Sequence, residues 1–153
     1  MKKYIGIDPG KSGGIACYSG KYKLIARKCP TTNFDMYLVL KSMIGDTPSN
    51  DVFVFIEQVW AFPSDSSKTA FTFGVNYGAW QMLCDIEELQ VSLCRPRKWQ
   101  SFVDTPKKLI KRDRKNWLKE LAQKEAGESF RVTLATSDAI LIAYFCKKMR
   151  GKL

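Results

Sequence analysis

The chain has 153 residues, 45% of them hydrophobic, and carries 25 Lys and Arg against 15 Asp and Glu, a formal net charge of +10. That length and composition support one folded domain with a real core and exclude a disordered chain. The complete lack of histidine excludes Ser-His-Asp and Cys-His catalysis and histidine-bound zinc. A domain this basic usually meets a polyanion: nucleic acid, an acidic membrane surface or an acidic partner.

In chain order, Tyr4 to Asp8 reads as a buried strand that ends in a carboxylate. Pro9 favours extended backbone at Asp8, and Gly10, Gly13 and Gly14 permit a tight turn. Ile15 to Tyr18 is a second strand, Ser19-Gly20 a turn, and Tyr22 to Arg27 a third strand, giving an antiparallel meander. Phe34 to Ile44 is helical, with Met36, Leu40, Met43 and Ile44 on one side. Residues 52–57, VFVFIE, are apolar on both faces, as expected of a central strand. A crossover helix before that strand implies that strand four runs parallel to strand one. Asp8 and Glu57 would then lie side by side, at the strand ends where such sheets form sites.

Ala61 to Lys68 reads as a loop, Ala70 to Leu89 as a helix weakened by Gly74 and Gly78, and Val91 to Cys94 as a fifth strand. Pro96 to Val103 is a short helix or turn. Leu109 to Glu125 is an amphipathic helix with Ile110, Trp117, Leu118, Leu121 and Ala122 inward. Thr136 or Ser137 caps a last helix running to about Met149. Asp138 opens that helix. The five cysteines, at 17, 29, 84, 94 and 146, form no CxxC pair and read as free thiols of a reducing compartment. There is no signal-peptide pattern at the start, and the longest apolar run, Ala139 to Cys146, is far short of a membrane span. The expectation is a soluble cytoplasmic protein without a membrane partner.

Three acids from distant segments, Asp8, Glu57 and Asp138, suggest a shared metal site. Mg²⁺ takes oxygen ligands, and paired ions activate a water for in-line displacement at phosphorus. Each acid also has a structural reading. Asp8 could receive loop N–H groups, Glu57 could be a strand-end charge, and Asp138 could favour a helix N-terminus.

These residues carry a resemblance. Ile5-Gly6-Ile7-Asp8-Pro9-Gly10, Phe55-Ile56-Glu57, Phe73-Gly74 with Tyr77-Gly78, and Ser137-Asp138-Ala139-Ile140-Leu141-Ile142-Ala143 resemble the RuvC-like Holliday-junction resolvases, especially the short bacteriophage-type members of the RNase H-like nuclease superfamily. The resemblance implies an α/β fold with a five-stranded mixed sheet, strands four and five parallel to strand one, flanked by helices. It also implies a homodimer, Mg²⁺ (with Mn²⁺ able to substitute), and symmetric nicking of four-way DNA junctions. Asp8, Glu57 and Asp138 match the family's catalytic, metal-holding acids. The family commonly carries a fourth acid three or four residues before the last one. Here those positions are Ala135 and Leu134, so either three acids suffice or Thr136, Ser137 or Glu128 helps.

From Arg95 to Lys119 there are ten basic residues and two acids. Such a run is either a solvated helix face or a phosphate-binding surface. Lys98, Lys107, Lys108, Lys111 and Arg112 are the expected DNA contacts. Trp60 and Phe62, just past Glu57, would stack on or wedge between bases, or serve as core or dimer-interface residues. Phe71, Phe73, Tyr77 and Trp80 follow helical spacing and fit core or dimer interface better. The readings in play are a metal-dependent junction endonuclease, a catalytically weak or inactive branched-DNA-binding protein, and an actin-like kinase or ATPase. The last needs two lobes around a nucleotide, which 153 residues do not supply.

Overall fold

The apolar run KYIGID forms strand β1 (Lys3–Asp8), and GIACYS forms β2 (Gly14–Ser19). They are joined by the glycine turn and pair antiparallel, with Asp8 opposite Gly14. Strand β3 (Lys23–Lys28) completes the meander. In this computed structural model residues 1–20, 23–61, 63–128 and 130–151 are described, so the expected strand start at Tyr22 lies outside them.

Helix α1 (Asn33–Ile44) is capped by Thr32, whose hydroxyl accepts from the Asp35 N–H at 3.1 Å. It crosses over to β4 (Val52–Glu57), which pairs parallel to β1. Helix α2 (Ser67–Ile86) leads to β5 (Gln90–Cys94), parallel to β4. The mixed five-stranded sheet therefore has the order β3-β2-β1-β4-β5. Helices α3 (Pro96–Phe102), α4 (Lys111–Ala126) and α5 (Ser137–Arg150) follow.

Side chains alternate across each strand, and this divides the core in two. Ile5, Ile7, Val52, Val54 and Ile56 pack under α1 and α2. Tyr4, Phe53 and Phe55 pack on the other face against α5, α3 and α4. Burial of these apolar surfaces is the main stabilising term, about 25 cal/mol per Å² removed from water. Helix α5 comes closest at Gly6, where an added Cβ would run into the Ala143 nitrogen and the Ala139 carbonyl. Only a glycine on the central strand admits the helix backbone there.

Three expectations change. Helix α2 starts inside the predicted loop, because the Ser66 hydroxyl accepts from the Thr69 N–H at 3.1 Å and sets the N-terminus. Ile110 is not inward: it is the N-cap of α4 and 63% exposed, while Leu118 and Ala122 are buried and Trp117 partly so. Thr136 takes the N-cap position of α5 but makes no side-chain cap. Its Oγ1 accepts from the Thr133 N–H instead, at 3.0 Å. All five cysteines are buried and unpaired. Among the described residues no helix is long and apolar enough to cross a membrane.

Candidate functional site

Register and alternation place the acids. Ile7 lies opposite Ile56 in the parallel β1–β4 pair, so Asp8 and Glu57 emerge next to each other at the C-terminal ends of the two central strands. Asp8 shares its side of the sheet with Tyr4, and Glu57 shares its side with Phe53 and Phe55. Both acids therefore face the layer of α5. Because Gly6 draws α5 onto β1, the first turn of α5 brings Asp138 to the same place.

The loop after Asp8 is tied down from several sides. The Gly13 N–H donates to the Gly10 carbonyl at 3.0 Å, and Gly10 has φ 113°, a conformation that glycine adopts without strain. The Gly10 N–H donates to Asn76 Oδ1 of α2 at 2.7 Å. The Cys29 thiol donates to the Asp8 carbonyl at 3.4 Å. A Cβ on Gly13 would run into the Asp8 main-chain carbonyl and crowd the Asp8 carboxyl group, so this glycine lets the loop fold back onto Asp8.

The three acids act on one another. Burial, then the charges of Glu57 and Asp138, hold the Asp8 carboxyl well above the usual carboxylate range. Burial pushes Glu57 up to about 7, against an opposing indole N–H from Trp99, which donates to Glu57 Oε1 at 3.1 Å. Asp8 and Glu57 share a hydrogen bond that favours the proton on Asp8 and the charge on Glu57. Asp138 is raised by burial, opposed by the Ser137 hydroxyl at 3.2 Å and by the positive charge of Lys115. Lys115 also lowers Asp8. It lies one turn before the buried Leu118 on α4, on the side that faces the acids.

The donor chemistry of this cluster fits a hard divalent cation: carboxylate oxygens, buried at Glu57 and partly buried at Asp8 and Asp138, with Lys115 as an opposing charge. The spacing is not a finished cage. Among the described residues no three Asp, Glu, Cys or His side chains converge closely enough to hold an ion, and Asp8 and Glu57 share a hydrogen bond. A cation would take the place of their shared proton.

The chain matches the structure of "T. thermophilus RuvC in complex with Holliday junction substrate" over 97% of its length and 96% of that chain, with a TM-score of 0.66 and 13% sequence identity. It also matches a second structure, "Thermus thermophilus RuvC structure", with the same coverage, a TM-score of 0.58 and 16% identity. The fold is RuvC-like. No family model matches the sequence, and no curated protein does.

Around the acids of this RuvC-like fold, the expected DNA contacts do not form one group. Lys107 lines a cleft of about 680 Å³ together with Arg97, Gln100, Ser101 and Arg114. Lys98 borders a separate recess of about 190 Å³ beside Phe55 and Arg150. Lys108 and Lys111 are exposed around the start of α4, and Arg112 is paired at 3.6 Å with its neighbour Asp113. Trp60 is 49% exposed, three residues beyond Glu57, and Phe62 lies outside the described residues. On α2, Trp80 is fully buried and Tyr77 packs against the core, while Phe71 is 75% exposed. Phe73 covers Gly10, where a Cβ would stand 2.5 Å from its ring.

Of the substitutes considered for a fourth acid, Ser137 alone touches the cluster, through Asp138. Glu128 is exposed after α4 and is not among the charges that act most on the three acids. The Ala135 carbonyl lies against Gly14, where a Cβ would collide with it. Three further residues belong to the site beyond those expected from the sequence: Trp99, Asn76 and Lys115. Trp99 and Asn76 carry no sequence signal, since their partners are 42 and 66 residues away. Lys115 is one of ten basic residues, and its spacing of three before Leu118 is the available signal.

Proposed function

We propose that this protein is a metal-dependent endodeoxyribonuclease that resolves four-way DNA junctions by symmetric nicking. The observation that carries the reading is the convergence of Asp8, Glu57 and Asp138 at the C-terminal edge of the central strands. Their charges lie close together, buried at Glu57 and partly buried at Asp8 and Asp138, which costs free energy unless a cation is bound. Asp8, Glu57 and Asp138 would hold Mg²⁺, with Mn²⁺ able to substitute. When bound, such an ion stabilises charge at phosphorus and activates water for in-line attack.

The chain's own residues would do the rest. On binding of the ion, the proton that Asp8 shares with Glu57 would pass to solvent. Lys115 faces the acids and meets a phosphate oxygen of the scissile strand. Arg97, Lys107 and Arg114 hold backbone phosphates in the neighbouring cleft, with Lys98, Lys108, Lys111 and Arg112 as outer contacts; such contacts position the DNA without reading its sequence. Trp60 offers an aromatic face to an unpaired base beside Glu57. The junction bound to the RuvC structure of similar fold supports branched DNA as the substrate class.

Two symmetric cuts call for two copies. Phe71, Val75, Met82 and Ile86 are all exposed on α2, and Gly74 and Gly78 have open space above them. This apolar stripe at helical spacing supports a homodimer through α2. All described elements pack on one sheet, which supports a single nuclease domain over residues 1–153, and five unpaired thiols fit a cytoplasmic setting.

The alternative is a branched-DNA-binding protein with little or no activity, favoured by Ala135 standing where the family carries an acid. A labelled synthetic four-way junction, incubated with Mg²⁺ or Mn²⁺ against EDTA, separates the two. The expected result is paired symmetric nicks by the wild type, lost in EDTA and with Asp8→Asn. Tight binding without cleavage under either metal would leave only the binding protein.

A further inference from the structure

We infer that Trp99 is a positioning residue that fixes one oxygen of Glu57 and leaves the other for the metal. This inference rests on the nuclease reading above. Its basis is the fold that brings the indole to the carboxylate. Strand β5 runs parallel to β4, with Cys94 opposite Glu57, and the Gln58 N–H donates to the Cys94 carbonyl at 2.8 Å. The chain then turns through Arg95 into α3, with Pro96 at the first helical position, where its fixed φ suits the start of a helix. Trp99 falls on the inner side of that first turn and returns beneath the end of β4.

The indole is fully buried. Helix α3 is held onto α5 by Phe102, whose ring is 5.0 Å from Phe145 and 6.1 Å from Tyr144. The Val103 N–H donates back to the Trp99 carbonyl at 3.1 Å and closes the helix. The side chain is therefore set by packing, and its one N–H is aimed at Glu57 Oε1 at 3.1 Å. Indole is a donor only. It satisfies that oxygen and adds no positive charge.

That neutrality matters. An arginine or lysine at this position would also orient the carboxylate, but it would cancel the charge that attracts a cation. An apolar residue would leave a buried oxygen without a partner, and the carboxylate would be free to turn. Trp99 restricts Glu57 without neutralising it. With Oε1 held by the indole, the other oxygen of Glu57 is left for the ion. Groups that orient a metal ligand in this way typically carry 10–100-fold in metal affinity or activity.

The test compares wild type with Trp99→Phe, and with replacement of Trp99 by benzothienylalanine, which exchanges the N–H for sulfur and keeps the shape. Calorimetry with Mn²⁺ alone, without DNA, is the first readout. Mn²⁺ affinity is expected to fall on the order of 10–100-fold in both variants. The Mg²⁺ concentration giving half-maximal cleavage should rise by the same factor, with junction affinity in EDTA unchanged. A folded benzothienylalanine protein with wild-type Mn²⁺ affinity and wild-type Mg²⁺ dependence overturns the inference and leaves the nuclease reading intact. A wild type that neither binds Mn²⁺ nor cleaves overturns the nuclease reading, and this inference with it.

Discussion

Replacing Asp8 by asparagine should make the metal-free protein more stable at pH 8 while removing its activity. The reason is the proton that Asp8 and Glu57 share. Glu57 titrates at about 7 in the folded protein, against an ordinary value of 4.5. Between those two pH values the folded protein holds a proton that the unfolded chain has released. Stability from this group is thus fully present below pH 4.5 and is lost as pH rises through 7. At about 1.36 kcal/mol per pH unit, the loss by pH 8 is about 3 kcal/mol, with Asp8, raised in the same direction, adding to it.

An asparagine amide at position 8 donates to Glu57 at every pH and carries no charge of its own. The Glu57 loss persists in the variant, since burial and the charge of Asp138 cause it; Asp8→Asn removes the share of Asp8 itself, so it should melt above wild type at pH 8, by about 2–4 °C for each kcal/mol removed. The two should nearly coincide at pH 5. Circular-dichroism melts in EDTA at pH 5, 6.5 and 8 read this directly. Parallel pH profiles for the two proteins, or a destabilised variant at pH 8, would refute the shared-proton account. Saturating Mg²⁺ should narrow the gap, because a bound cation stabilises only the wild-type carboxylates effectively.

Lys115→Ala should lower the cleavage rate about 10²-fold and move the acidic limb of its pH profile upward, since Lys115 holds down Asp8 and Asp138; an unmoved limb in single-turnover profiles counts against its facing the acids. Combined Lys107→Ala and Arg114→Ala should reduce the slope of log affinity against log salt by about 0.9 for each phosphate no longer neutralised, measured by fluorescence anisotropy on a labelled junction; an unchanged slope removes the cleft from the DNA path. Val75→Glu should convert a dimer to monomer in sedimentation, and persistence of the dimer would move the interface away from α2. Gly6→Ala should cost about 3 kcal/mol or more, seen as a lower urea midpoint, because its Cβ meets α5 backbone and not a flexible side chain.

The order and direction of the strands were legible because their signals are local. The double-sided apolar run VFVFIE could only be central, and a helix between it and β1 forced a parallel pairing. From that, the adjacency of Asp8 and Glu57 followed directly. Asp138 was legible as a helix opener, although its arrival beside Asp8 depends on Gly6, whose role appears only when α5 packs. Trp99 and Asn76 were not legible, because their meaning lies in hydrogen bonds across the fold. Ile110 was misplaced because helical periodicity was extended one position past the start of α4, where the residue is a cap and its side chain faces water. The paired cations of the cleft escaped notice for a similar reason: Arg97 and Arg114 lie on different helices, and a run of basic residues does not say which of them share a groove.

The burial of the five cysteines has a practical consequence. Alkylation requires a thiolate on an accessible sulfur. Burial pushes Cys17 up to about 11 and Cys29, Cys84 and Cys94 up to about 12, with Cys146 raised further by the same cause. A single cysteine introduced on the exposed face of α4 should therefore be the preferred target of a maleimide dye at neutral pH, with the native thiols left in place. Fluorescent labels for following junction arms in real time can be attached to the natural sequence, without first building a cysteine-free version whose core would have to be repacked at five buried positions.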